Sequence, residues 1–112
     1  MDRNTVDTFL DTLASMSVVI DKLGQDLEQI NDLDERKALS PHLKDFLKSF
    51  YNLRDQFSFK YPELHPDFLG LENYSKLRKK YETSDVKVTM PTKEEIEKAA
   101  NLWQRLQKLK RK

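Results

Sequence analysis

Between residues 4 and 31, apolar side chains fall at Val6, Phe9, Leu13, Met16, Ile20, Leu23, Leu27 and Ile30, with spacings that alternate between three and four. This is a heptad pattern over about three and a half repeats. It places Val6, Leu13, Ile20 and Leu27 at the a positions and Phe9, Met16, Leu23 and Ile30 at the d positions. A long amphipathic helix with a coiled-coil or bundle-type seam is predicted over about 4–31. Asn4 or Thr5 is a candidate cap, and Asp7 and Asp11 lie toward the positive end of the helix dipole. Gly24 interrupts the helix at an e position, where it costs about 1 kcal/mol against Ala and admits a neighbouring backbone.

The seam fails after Ile30, because Asp34 and Lys37 take the next a and d places. Asp32 followed by Glu35 reads as a capping box for a short helical turn through Leu39. Ser40-Pro41 then predicts a restart, with Ser40 as N-cap and Pro41 at the first helical position, where its missing N–H does no harm. The second helix is expected over about 41–57, with Leu43, Phe46, Leu47, Phe50, Leu53 and Phe57 as its stripe.

Residues 58–70, SFKYPELHPDFLG, hold two prolines and a glycine, which stop regular helix. They also hold Phe59, Tyr61, Leu64, Phe68 and Leu69, too many apolar groups for a solvated linker. An ordered loop that caps the bundle, or a partner-binding surface, is expected. A third helix over about 71–81 presents Leu71, Tyr74, Leu77 and Tyr81. In the connector 82–91, Val86, Val88 and Met90 alternate with polar residues, as in a short extended segment. Thr92 with Glu95 forms another capping box and opens a last helix over about 92–110, where Ile96, Ala99, Ala100 and Trp103 centre an apolar arc widened by Leu102, Leu106 and Leu109. The expected fold class is therefore all-α: one domain, a small bundle of three to four helices with a heptad-patterned N-terminal helix and an ordered proline/aromatic loop.

Length sharpens this picture. A first helix of about 27 residues spans roughly 40 Å and a second of about 17 spans roughly 26 Å, so the last helix or another chain must cover part of the first seam. Burying eight large seam residues contributes on the order of 12–24 kcal/mol gross. Composition agrees with helices that each have a wet face, since 38% of the 112 residues are hydrophobic and 35% charged.

The net charge of +1 conceals a gradient. Residues 1–56 carry 7 basic and 11 acidic side chains and residues 57–112 carry 13 and 8, giving −4 and +5. The halves should attract one another or partners of opposite sign.

The absence of cysteine excludes disulfides and thiolate metal sites, and suggests an intracellular setting, cytoplasmic or nuclear. The N-terminus MDRNTVDTFLD is acidic where a signal peptide is basic, and no apolar run approaches the ~20 residues of a membrane span. His42 and His65 show no metal-ligand spacing, and two glycines cannot build a phosphate loop. No catalytic residue, metal, cofactor or small-molecule substrate is therefore expected.

Two functional readings follow. The first is a non-catalytic interaction module, an adaptor, inhibitor or complex subunit. It would engage another protein chain, in a hetero-complex or homo-oligomer, through Val6, Phe9, Leu13, Met16, Ile20, Leu23 and Leu27 or through Phe59, Tyr61 and Phe68. The second is nucleic-acid association, with Lys76, Arg78, Lys79, Lys80, Arg105, Lys108, Lys110 and Arg111 contacting phosphates. Against it, the sequence pI of 7.9 falls short of a basic footprint.

Overall fold

The computed structural model describes residues 1–110 and is all-helical, with four α-helices: α1 (Arg3–Glu28), α2 (Leu33–Lys60), α3 (Leu71–Lys80) and α4 (Lys93–Lys110). A 3₁₀ turn, Pro62–Leu64, follows α2. This is the helical bundle expected from the sequence, and no strand occurs among the described residues.

Helix α1 starts at Arg3, with Asp2 as its cap in place of the expected Asn4 or Thr5, because the Asp2 carboxylate accepts the Thr5 N–H at 2.8 Å. Helix α2 departs more from expectation. It begins at Leu33 rather than Pro41 and runs through Pro41 without a break. Asp32 caps it, accepting the N–H groups of Asp34 at 2.9 Å and Glu35 at 3.2 Å. Pro41 removes one helical donor, leaving the Lys37 carbonyl to water on an exposed turn, and Ser40 Oγ donates back to the Arg36 carbonyl at 2.8 Å instead of capping a new helix. The resulting helix of 28 residues comes within two of the 26 in α1, and the short turn over residues 29–32 folds the two into an antiparallel hairpin.

The core fills one end of that hairpin. Val6, Leu10, Leu13, Ala14 and Ile20 of α1 meet Phe50 and Phe57 of α2, Leu64 of the 3₁₀ turn and Tyr74 of α3. Helix α3, and not the last helix or another chain as helix length predicts, is the main neighbour of α1. The charge gradient is used here. Arg78 donates to Ser17 Oγ at 2.8 Å and pairs with Asp21, while Lys80 at 2.8 Å and the Tyr81 hydroxyl at 2.5 Å both donate to Asp11. These donors hold the Asp11 carboxyl below its ordinary range, Lys80 contributing most.

The connector after α3 forms no strand. Val86 and Val88 turn inward onto Val18 of α1, in a loop tied by Thr83 and Glu82, whose side chains accept the N–H groups of Val86 at 3.1 Å and Val88 at 3.1 Å. The capping box before α4 forms as expected: Glu95 N–H donates to Thr92 Oγ1 and Thr92 N–H to Glu95 Oε1.

Helix α4 makes no close backbone approach to α1 or α2 among the described residues. It leans on α3 and on the loop, through Ala99 and through Trp103 stacked near Phe68 and His65. The molecule is consequently open in shape. Its radius of gyration is 16.1 Å, against about 13 Å for a compact domain of this length.

Candidate functional site

Because α3 covers only one flank and one end of the α1–α2 hairpin, the seam near the α1–α2 turn has no third helix over it. A groove of about 390 Å³ lies there, floored by Leu23 and Leu27 of α1, by Ile30 in the turn just past the end of that helix, which stops at Glu28 and not near residue 31 as expected, and by Leu39, Leu43 and Phe46 of α2, with Asp26 and His42 at its edge. Leu23 is 46% exposed, Leu39 48% and Phe46 45%, so each large apolar side chain keeps nearly half its surface in water.

The two rows of the heptad pattern part company on α1. The a-position residues Val6, Leu13 and Ile20 point into the core, while along the d row Phe9 is half-buried and Met16 and Leu23 are exposed, so the d row borders the opening. Met16 and Leu53 continue the exposed apolar surface along α1 and α2 toward the middle of the hairpin.

The expected interaction residues therefore divide. Val6, Leu13, Ile20 and Phe68 are buried in the chain's own interior and present nothing to a partner. Phe9 packs on Phe57 and Tyr61 stacks on the same ring, both half-buried. Met16, Leu23 and Phe59 remain exposed and Leu27 half-buried, and of these only Leu23 and Leu27 line the groove. The α2 wall, from Leu39 to Phe46, was not among the expected interaction residues. Its signal was the continuation of the apolar stripe N-terminal to Pro41, concealed by reading that proline as a helix start.

Around the groove the charge is acidic. Residues 19–46 carry 7 acidic and 4 basic side chains. Asp26 is engaged by Lys22 at 2.7 Å, and Glu35 lies one turn before Leu39 on the same face of α2.

The basic residues of the second reading are largely spoken for. In α3, Lys76 pairs with Glu72 at 3.3 Å, Lys79 with Glu82 at 3.4 Å, Arg78 with Asp21 and Lys80 with Asp11. On α4, Lys110 lies over the Phe59 ring at 5.3 Å, and Arg105 and Lys108 face solvent. Arg111 falls outside the described residues.

Candidate chemistry is sparse. His65 is buried among Phe59, Phe68 and Trp103, and its Nδ1 accepts the Asp67 N–H at 3.2 Å. That bond puts the ring proton on Nε2, which stands 3.8 Å from Asp55 Oδ1, beyond hydrogen-bond reach. Burial pushes His65 below its ordinary pKa, against the opposing pull of Asp55 and Asp67. Neither His65 nor the equally buried Ser58 can be reached by a substrate in this conformation. Among the described residues no cluster of His, Asp or Glu could hold a metal ion, and no helix is long and apolar enough to cross a membrane.

Comparisons with protein-family models, with curated proteins and with solved structures found no match to this chain.

Proposed function

We propose that this chain is a non-catalytic interaction module whose α1–α2 groove receives an amphipathic helix with a basic polar face. One observation carries the reading: the two walls of a long helical hairpin present a half-exposed apolar seam where a bundle ordinarily places another helix. Covering the exposed halves of Leu23, Leu39 and Phe46 would contribute about 2–4 kcal/mol gross, before the costs of association. The acidic surround sets the sign of the partner's charge and speeds its encounter.

A titration of the isotope-labelled chain with two helical peptides tests this. The peptides share one leucine stripe and carry opposite net charge. The basic peptide is expected to shift the amide resonances of Leu23, Leu27, Leu39 and Phe46, more strongly at low salt, and the acidic peptide to shift them weakly. Shifts that map elsewhere, or that ignore peptide charge, would refute the reading. If the chain instead bound a single-stranded oligonucleotide through Arg105 and Lys108, with a steep loss on adding salt, the phosphate-binding alternative would replace it.

A further inference from the structure

We infer that the helix received by the groove is α4 of a second copy of this chain, with two copies exchanging α4 reciprocally. This rests on the groove being a helix-binding site, and it names the occupant.

The first ground is a stripe on α4 that its own chain leaves partly uncovered. Leu102 is 45% exposed and Leu109 67% exposed, with Leu106 half-buried between them. Helix α4 is held to its own loop through Ala99 and Trp103, on one flank of the same apolar arc, and Leu102 borders Asp67 and Leu71, so what α4 can offer without leaving its place is the open edge of that arc through Leu102 and Leu109.

The second ground is register. Leu102, Leu106 and Leu109 on α4 are spaced four and then three, as are Leu39, Leu43 and Phe46 on the α2 wall of the groove, while Leu23 and Leu27 of α1 and Ile30 just past its end form the other wall. The α4 and α2 rows each span one heptad, about 10 Å of helix, so they can lie side by side over the last turns of α1.

Charge supplies the third ground. Residues 98–112 hold 6 basic side chains and no acidic one, whereas residues 19–46 hold 7 acidic and 4 basic. The stripe therefore lies in the most basic stretch of the chain and the groove in an acidic one.

Area is the fourth. The chain exposes 8077 Å², against about 6,450 Å² for a compact monomer of 13.3 kDa. The excess, about 1,600 Å² per chain, exceeds the roughly 800 Å² that each partner contributes to a standard interface.

The chain's own α4 is the wrong occupant because the connector before it is pinned: Val86 and Val88 are buried against Val18. Reciprocal exchange closes on two copies, whereas a one-way exchange would propagate into a filament.

Light scattering of the full chain over a range of concentrations is the test. The expected result is a two-chain mass that falls to one on dilution and on adding salt. Leu23→Asp damages only the groove and Leu109→Asp only the stripe, both at exposed positions, so each variant should keep its helicity and weaken self-association at least tenfold. Mixed in equal amounts, the two variants should regain a two-chain species, because one retains a sound α4 and the other a sound groove. Phe46→Asp and Leu102→Asp form a second pair should either of the first lose helicity.

A one-chain mass at every concentration would overturn the inference. If the basic peptide still mapped onto the groove in that case, the groove would stand as a helix site and only its self-occupancy would fall. A dimer indifferent to Leu109→Asp and Leu102→Asp, or variants that fail to complement, would also overturn it and indicate groove-to-groove pairing or another surface.

Discussion

Leu13 and Leu23 occupy the same predicted seam, yet the structure gives them opposite duties, and truncating each to Ala separates core from groove. Leu13 is 2% exposed and sits in the cluster with Val6, Phe50 and Tyr74, whose hydroxyl donates to the Leu13 carbonyl at 3.5 Å. Removing its three terminal carbons leaves a cavity walled by side chains from three helices, for which about 3–4 kcal/mol is the expected loss. Leu23 is 46% exposed and borders an open groove, so Leu23→Ala leaves no enclosed void and should cost about 1 kcal/mol or less. Urea unfolding followed by circular dichroism at high dilution reads the difference. With a slope near 2 kcal/mol/M, the midpoint should fall by roughly 1.5–2 M for Leu13→Ala and by no more than about 0.5 M for Leu23→Ala, with the slope unchanged. Equal shifts for the two variants would refute the division of the seam, because they would mean that Leu23 is as enclosed as Leu13 in solution.

The two glycines should respond in opposite directions. A Cβ on Gly24 meets nothing within 4 Å, so Gly24→Ala should stabilise α1 by about 0.5–1 kcal/mol and raise the Tm by a few degrees. A Cβ on Gly70 would lie 2.4 Å from the Leu64 carbonyl carbon, which is backbone and cannot step aside, so Gly70→Ala should lower the Tm and expose the loop around His65. For His65, whose pKa is depressed by burial, the unfolded chain binds the proton more readily than the native one. Its stabilising effect is therefore complete above about pH 6.5 and is lost as pH falls from there through the lower native value. A Tm that declines across that window, with a parallel change in Trp103 emission, is expected. His65→Asn, whose Oδ1 can accept the Asp67 N–H in place of Nδ1, should flatten the decline, and an unchanged pH profile would count against the assignment.

Much of this fold is legible in the sequence wherever one local signal acts without competition. Thr92 and Glu95 form their capping box atom for atom, and the apolar content of residues 58–70 does mark an ordered cap, with Leu64, His65 and Phe68 buried. Competing signals mislead. Asp32 and Ser40-Pro41 are both good helix starts, and the first prevails because Pro41 sits on an exposed turn where water can satisfy the orphaned carbonyl. The seam on α1 is legible as a pattern but not as a surface. Leu10, Ala14 and Val18 lie off the heptad row and are buried, because α3 and its following connector pack on that side of α1, α3 near Leu10 and the connector's Val86 and Val88 on Val18. Nor does periodicity reveal that α4 rests on a loop instead of on α1, since pairwise helix contacts depend on where connectors are pinned. The candidate groove was thus half legible: its α1 wall follows from the heptad row, while its α2 wall requires knowing that α2 begins at Leu33.

Pro41 lies between Leu39 and Leu43 in sequence, on the stretch of α2 that carries that second wall. The rung it deletes from the helical ladder makes this the least braced stretch of α2, the place where the rod bends at smallest cost. A receptor cleft with one stiff side and one compliant side can adjust its width to side chains of different bulk. Amide protons around residues 36–43 should accordingly exchange faster than those of the opposing stretch 19–27, although both belong to unbroken helices.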